Sequence, residues 1–243
     1  MSAFKWLSAM NVLSQALEKG ELIVTGRLID ASNATLLGEV SFEEKKVKCI
    51  YKPIAGERPL WDFPDGNLAH REFAAYLISK HGKFDVVPLT ILRDGPFGLG
   101  MVQQWIDIDH TVDLAQFFGT DDIRLRTMAL FDAVINNTDR KIGHLLPQAD
   151  GKLFGCDHGV TFHEEYKLRT VLWQWAGDDF SEEEKNLLVD LLSDIKSNQI
   201  PELSGLITNT ELLSLISRIE NLLTSGTFPL PSQEWPAIPW PAF

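Results

Sequence analysis

The sequence is short of several things, and each shortage removes a class of protein. Cys49 and Cys156 are its two cysteines in 243 residues, too few for a disulfide framework or a cysteine-rich zinc site. That count suits a reducing cytoplasm. No run of about 18 apolar residues occurs, so no transmembrane helix is expected. Met1-Ser2-Ala3-Phe4-Lys5-Trp6 offers neither an apolar signal core nor a glycine at position 2, so neither secretion nor myristoylation is expected. Positive charge is scarce as well. Lys and Arg number 22 against 34 Asp and Glu, a net charge of −12, which opposes attraction to nucleic acid and to anionic lipid. There is no internal repeat. With 44% hydrophobic residues, the chain can bury a core in one large domain or in two lobes sharing a cleft.

Residues 4–19 read as a helix ended by Gly20. Strands are expected at Leu22–Asp30 and Gly38–Phe42. In the turn between them, Ser32, Asn33 and Thr35 could donate to phosphate oxygens or form an ordinary polar hairpin turn. A third strand, Val47–Lys52, is informative. Period-two alternation puts Val47, Cys49 and Tyr51 on a core face and Lys48, Ile50 and Lys52 on the other, which suits a cleft or an exposed edge equally. The Pro/Gly-rich residues 53–66 carry Leu60, Trp61 and Phe63, the mark of an ordered loop. Asn67 caps a helix over Leu68–Lys80, on which Glu72 either orients Lys52 or stands as an exposed carboxylate. Val86–Arg93 and Leu99–Ile106 read as the last strands of the sheet.

The second half reads as mainly helical. A short helix around Leu114–Phe118 precedes a longer one over Asp121–Ile135 capped by Thr120. Asn136-Asn137 ends it and delivers Thr138-Asp139-Arg140 into a loop. Leu153–Gly155 and Val160–Phe162 are expected to flank Asp157 as a short hairpin. In Tyr166–Trp175, Lys167 and Arg169 either present an anionic acceptor or snorkel over packed tryptophans. Ser181 with Glu184, and Thr208 with Glu211, form capping boxes for two further helices. The Pro- and Trp-rich tail, 228–243, is extended and either wraps the domain or engages a protein partner.

The informative feature is an order: strand Lys52, helix Glu72, Asp139-Arg140-x-x-x-His144, then Asp157-x-Gly159. Phosphoryl transfer needs a clamped triphosphate, a fixed metal and an aimed acceptor oxygen. In that reading Lys52, oriented by Glu72, meets the α/β-phosphates, and Ile50 packs on the base. The backbone of Gln103, Gln104, Trp105 and Ile106 meets the adenine edge. Asp157 supplies a hard oxygen to Mg²⁺ or Mn²⁺. Asp139 accepts a hydrogen bond from the acceptor hydroxyl, Arg140 braces or neutralises that loop, and His144 is a second metal ligand or a close neighbour of the metal.

The runs Ile50-Tyr51-Lys52-Pro53, Arg71–Leu77, Val87-Pro88-Leu89-Thr90, Asn137-Thr138-Asp139-Arg140 and Cys156–Phe162 resemble the phosphatidylinositol 3-/4-kinase-like superfamily. Its nearest characterised members are the type II phosphatidylinositol 4-kinases. Residues 56–66 and 167–173 resemble a mainly actinobacterial family of small kinase-like proteins more closely still. The resemblance spans Leu22 to Trp175. It implies a two-lobed α+β kinase-like fold with an antiparallel-sheet N-lobe (1–104), a helical C-lobe (105–227) and the tail. It also implies that Lys52 is the nucleotide lysine, Asp139 the catalytic-loop aspartate and Asp157 the metal aspartate. His144 stands where such kinases usually carry a metal-ligating Asn; its imidazole is a softer ligand that either favours Mn²⁺ over Mg²⁺ or does not bind the metal. The cysteine-rich membrane anchor of the type II lipid kinases is missing. The expectation is an ATP-dependent, cytoplasmic bacterial kinase acting on a protein or small-molecule hydroxyl rather than lipid. The alternatives are a nucleotide-binding module without turnover, or an AMP transferase on the same fold. A zinc hydrolase built on Cys156, His158, His163 and His144 is the weakest reading.

Overall fold

The computed structural model describes residues 12–28 and 33–243. The chain forms a two-lobed α+β structure. The first lobe contains helix α1 (residues 12–19), strands β1 (Glu21–Arg27), β2 (Leu36–Phe42) and β3 (Lys45–Pro53), helix α2 (Leu68–His81), and strands β4 (Thr90–Gly95) and β5 (Gly98–Gln104). The five strands make one antiparallel sheet in the order β1-β2-β3-β5-β4.

The alternation in β3 sorts its side chains as expected. Cys49 and Tyr51 are fully buried, while Ile50 and Lys52 lie on the opposite, partly open face. Helix α2 packs against β4 and β5. Its side chains Ala69, Ala74 and Ala75 are small enough to let it lie close, and Leu77 and Ile78 fill the space beneath. Asn67 caps it by accepting from His70 N–H at 2.8 Å. Glu57 adds a second cap by accepting from the N–H groups of Leu68 and Ala69.

The second lobe holds α3 (Leu114–Phe117), α4 (Ile123–Ile135), the short pair β6 (Leu145–Pro147) and β7 (Leu153–Gly155), α5 (Glu182–Lys196), α6 (Leu203–Leu206) and α7 (Asn209–Ser225). Both expected capping boxes, Ser181/Glu184 and Thr208/Glu211, are formed. Arg71 of α2 is buried in an ion pair with Glu211 of α7 and donates to Thr161 O, which ties the first lobe to the second.

Three local expectations are corrected and one open choice is resolved. Strand β4 begins at Thr90 instead of Val86, because Val86 and Val87 donate their N–H groups to Ser79 Oγ and Pro88 has none to give. The α4 cap is Asp122, which accepts from Arg124 N–H, whereas the Thr120 hydroxyl turns back to Phe117 O. Leu153–Gly155 pairs with Leu145–Pro147, and Val160–Phe162 is not a strand. Phe162 sits at φ +66°, Val160 O is taken by Thr138, and Phe162 N–H goes to Ile135 O. The tail follows the first of its two readings. Ala237 O accepts from Thr170 N–H and Trp173 Nε1–H, and Ala242 O from Ile142 N–H, so the tail wraps the second lobe.

Candidate functional site

Helix α4 sets one wall of the site. It ends with Asn136 in the left-handed region at φ +52°, a conformation asparagine tolerates, and its side chain is bonded to the backbone of His163, Glu165 and Lys167. The chain then turns into 137–140. Asn137 accepts from Asp139 N–H and donates to Asp132 Oδ1, fixing the loop to the helix behind it.

Arg140 lies beneath this loop and does not reach the cleft. It is fully buried, ion-paired to Asp132 at 2.8 Å, and donates to Cys156 O and His158. Burial works against its charge, but Asp132 outweighs burial and raises its pKa. Of the two readings of Arg140, bracing the loop rather than neutralising it fits this burial. Gly155 makes that packing possible, since a Cβ there would lie 2.8 Å from the Arg140 guanidinium.

The opposite wall comes from β3 and α2. Lys52 Nζ sits 2.5 Å from Glu72 Oε1 and is also ion-paired to Asp157. Burial disfavours the ammonium, yet the two carboxylates more than offset it and hold the pKa above lysine's usual value. Asp157 is held well below the carboxylate range, first by Lys52. Burial raises Glu72, opposed by Lys52. Asp157 adopts φ +58°, and its side chain is half exposed. Gly159 follows because a Cβ there would press within 3.1 Å of Leu68 at the start of α2.

These residues line a cavity of about 480 Å³ between the lobes, a size that takes a small-molecule ligand. Asn33, Thr35, Lys52, Glu72, Asp139 and Asp157 all border it, as do His144 and Arg169. Ser32 lies outside the described residues. Asn33 accepts from Arg58 N–H. Ile50, Gln103, Gln104, Trp105 and Ile106 do not border the cavity. The side chain of Gln103 is buried against Thr90, and the N–H groups of Gln104 and Trp105 go to Leu89 O and Lys48 O. Of that run, Ile106 N–H makes no hydrogen bond among the described residues.

His144 Nδ1 accepts from Lys141 N–H at 3.4 Å, leaving Nε2 facing Asp157 Oδ2 at 3.5 Å. Among the described residues no group of three His, Cys, Asp or Glu side chains forms a metal cluster, which removes the zinc-hydrolase reading. The pair Asp157 and His144 still fits a divalent cation whose other ligands are phosphate oxygens and water. Asp139 is raised by burial, opposed first by Lys141 at 3.4 Å.

Lys167 and Arg169 differ. Lys167 is buried, within 3.5 Å of Asp62 and 3.3 Å of Glu165, and lies 4.3 Å from the Trp235 ring centroid. It does not border the cavity, and Arg169 does. Sequence reasoning missed Asp132, Glu57 and Lys141. Asp132 was legible in principle as a carboxylate inside the apolar run of α4.

The two imidazoles give a pH expectation. Burial, reinforced by Arg140, holds His158 well below its ordinary range, and burial pushes His144 down to about 4. Arg140 donates to His158 Nε2, so that atom has no room for a proton. The unfolded chain takes up protons near pH 6.5 while the folded chain does not, so stability falls on acidification. The slope is up to about 1.4 kcal/mol per pH unit for each histidine. The raised Glu72 and Asp139 act in the opposite sense, and the imidazole contribution is read between pH 7 and 5.5, around the unfolded histidine value of about 6.5. Denaturant titrations across that window should show the fall, and His158→Asn should reduce it; a flat profile contradicts the assignment.

No family model matches the chain. Among solved structures it is similar to the Helicobacter pylori proinflammatory kinase CtkA, at 11% identity and TM-score 0.48, covering 87% of this chain and 94% of that one. It is also similar to the Cydia pomonella granulovirus kinase PK-1, at 16% identity and TM-score 0.36, covering 66% and 59%. No helix among the described residues is long and apolar enough to cross a membrane. Protein Rv2133c of Mycobacterium tuberculosis is 41% identical over 262 aligned positions, which cover 93% of this chain and 94% of that protein. At that identity over nearly the whole of both chains, this protein belongs to the family of Rv2133c.

Proposed function

We propose that the protein is an ATP-dependent phosphotransferase with a kinase-like fold of the phosphatidylinositol 3-/4-kinase-like type, acting on the hydroxyl of a protein or small molecule in the cytoplasm. The observation that carries this reading is Lys52 ion-paired to both Glu72 and Asp157 at the border of the interlobe cavity, with Asp139 bordering the same cavity. An ordinary structural ion pair has no need of a cavity, a second half-exposed carboxylate or a left-handed aspartate.

In this reading Lys52 contacts the α/β-phosphates, and Glu72 keeps its ammonium aimed. Asn33 and Thr35 border the phosphate end. The base extends past the cavity border, flanked by Ile50, toward Ile106 N–H, the hinge group left to meet the adenine edge. Asp157 and His144 would hold Mg²⁺ or Mn²⁺, which supplies charge neutralisation to the triphosphate. The use of His144 Nε2 as a ligand requires its proton to move to Nδ1, releasing the long bond from Lys141 N–H. The acceptor hydroxyl attacks the γ-phosphorus in line. Its new O–P bond forms as the bond to the β-bridging oxygen breaks, ADP leaves, and the hydroxyl proton passes to Asp139. Lys141 offsets the charge of Asp139, and Arg140 holds the loop from below.

The test is incubation with ATP labelled at the γ- or the α-phosphorus, with Mg²⁺ or Mn²⁺ and a bacterial extract as acceptor source. Label from γ-ATP alone, dependent on metal, is expected. Transfer of α-label instead identifies an AMP transferase, and binding without transfer of either identifies a module without turnover.

A further inference from the structure

The cavity border carries one cation that no carboxylate among the described residues pairs with. Three cations border the cavity: Lys52, Lys141 and Arg169. Lys52 is paired to Glu72 and Asp157, and Lys141 to Asp139. The Arg169 side chain makes no hydrogen bond and no ion pair among the described residues, and its Nε is buried without a partner. Among the described residues it has instead a cation–π contact with the Trp235 ring, whose centroid is 5.6 Å from the guanidinium carbon. In a chain of net charge −12, an arginine left unpaired beside five cavity carboxylates is unexpected.

Those carboxylates are engaged elsewhere. Glu57 caps α2, Asp62 lies beside Lys167, Glu72 and Asp157 hold Lys52, and Asp139 holds Lys141. The backbone places Arg169 against the loop that bears Asp139. Arg169 N–H donates to Asn137 O at 2.9 Å, and Arg140 N–H donates to Arg169 O at 3.1 Å. The Trp235 ring lies against the guanidinium on one side. A partly exposed guanidinium whose donors meet no protein acceptor is a group that recognises carboxylate or phosphate oxygens.

We infer that Arg169 is the receptor for an anionic group of the acceptor, a carboxylate or a phosphate, carried within a few bonds of the hydroxyl that faces Asp139. This rests on the phosphotransferase reading and narrows its acceptor to anionic hydroxyl compounds or to a hydroxyl residue beside an acidic one. Lys167, buried between Trp61 and Trp235 and bordered by Asp62 and Glu165, supports this wall without touching the acceptor.

The test titrates inorganic phosphate, and separately malonate, into the full chain saturated with a non-hydrolysable ATP analogue and Mn²⁺, read by thermal shift. Saturable stabilisation by at least one anion is expected: phosphate identifies a phosphorylated acceptor, malonate a carboxylate one. Arg169→Gln should weaken that anion about tenfold or more, as loss of a charge-assisted contact does, with analogue affinity within about threefold of wild type. Arg169→Lys, which keeps the charge and the packing stem, should recover part of the anion affinity. Wild type indifferent to both anions, or equal anion affinity in wild type and variants, overturns the inference. So does a tenfold loss of analogue affinity in Arg169→Gln, which would assign Arg169 to the triphosphate. Wild type that fails to take up the analogue at all brings down the phosphotransferase reading, and this inference with it.

Discussion

Asp157→Asn is expected to lower phosphoryl transfer by about a thousandfold or more while leaving the protein folded, the scale set by removing a principal charge-stabilising group in phosphoryl transfer. The choice of residue follows from the geometry. Lys52→Ala would also silence the site, but it would strand the buried Glu72 carboxylate and confound chemistry with folding. Asp157 is half exposed, and without it Lys52 keeps Glu72 at 2.5 Å. The melting temperature should therefore move little. The check is γ-label transfer and melting measured on the same preparation. Retained transfer with Asn at 157 removes this carboxylate from the chemistry.

The second large effect is on stability. Asp132→Ala leaves the fully buried Arg140 guanidinium without its carboxylate, and such a loss costs about 3–5 kcal/mol. For a chain of this size that lowers the melting temperature by about 6–20 °C. Turnover should fall too, since Arg140 also holds Cys156 O and His158 on either side of Asp157. Adding Arg140→Met removes the stranded charge and should recover part of the stability but not the turnover. Unchanged melting in Asp132→Ala would show that the pair braces nothing.

Much of the framework was legible because it rests on local rules. Alternation in β3 sorted Tyr51 from Lys52, and Asn67, Ser181 and Thr208 announced helix starts that the structure contains. The expectations that failed depend on partners far along the chain. Val160–Phe162 has the composition of a strand, but Thr138 and Ile135 take its backbone groups before any strand can. Val86–Leu89 is likewise diverted by one buried serine, Ser79. Within the site, the order of Lys52, Glu72, Asp139 and Asp157 pointed to a common cavity, and the four do border one. What the sequence could not reveal was the pairing beneath: Asp132 under Arg140, or which of Lys167 and Arg169 already had carboxylates for company. Those distinctions are made by burial and by the tail folding back with Trp235, both properties of the finished structure.

The most direct measurement is the crystal structure of the protein with a non-hydrolysable ATP analogue and Mn²⁺. The triphosphate is expected between Lys52 and Asp157, with the ammonium turned to the α/β-phosphates and the carboxylate turned to the metal. A nucleotide seated away from this cavity, or a Lys52–Asp157 pair left closed with nucleotide bound, would contradict it.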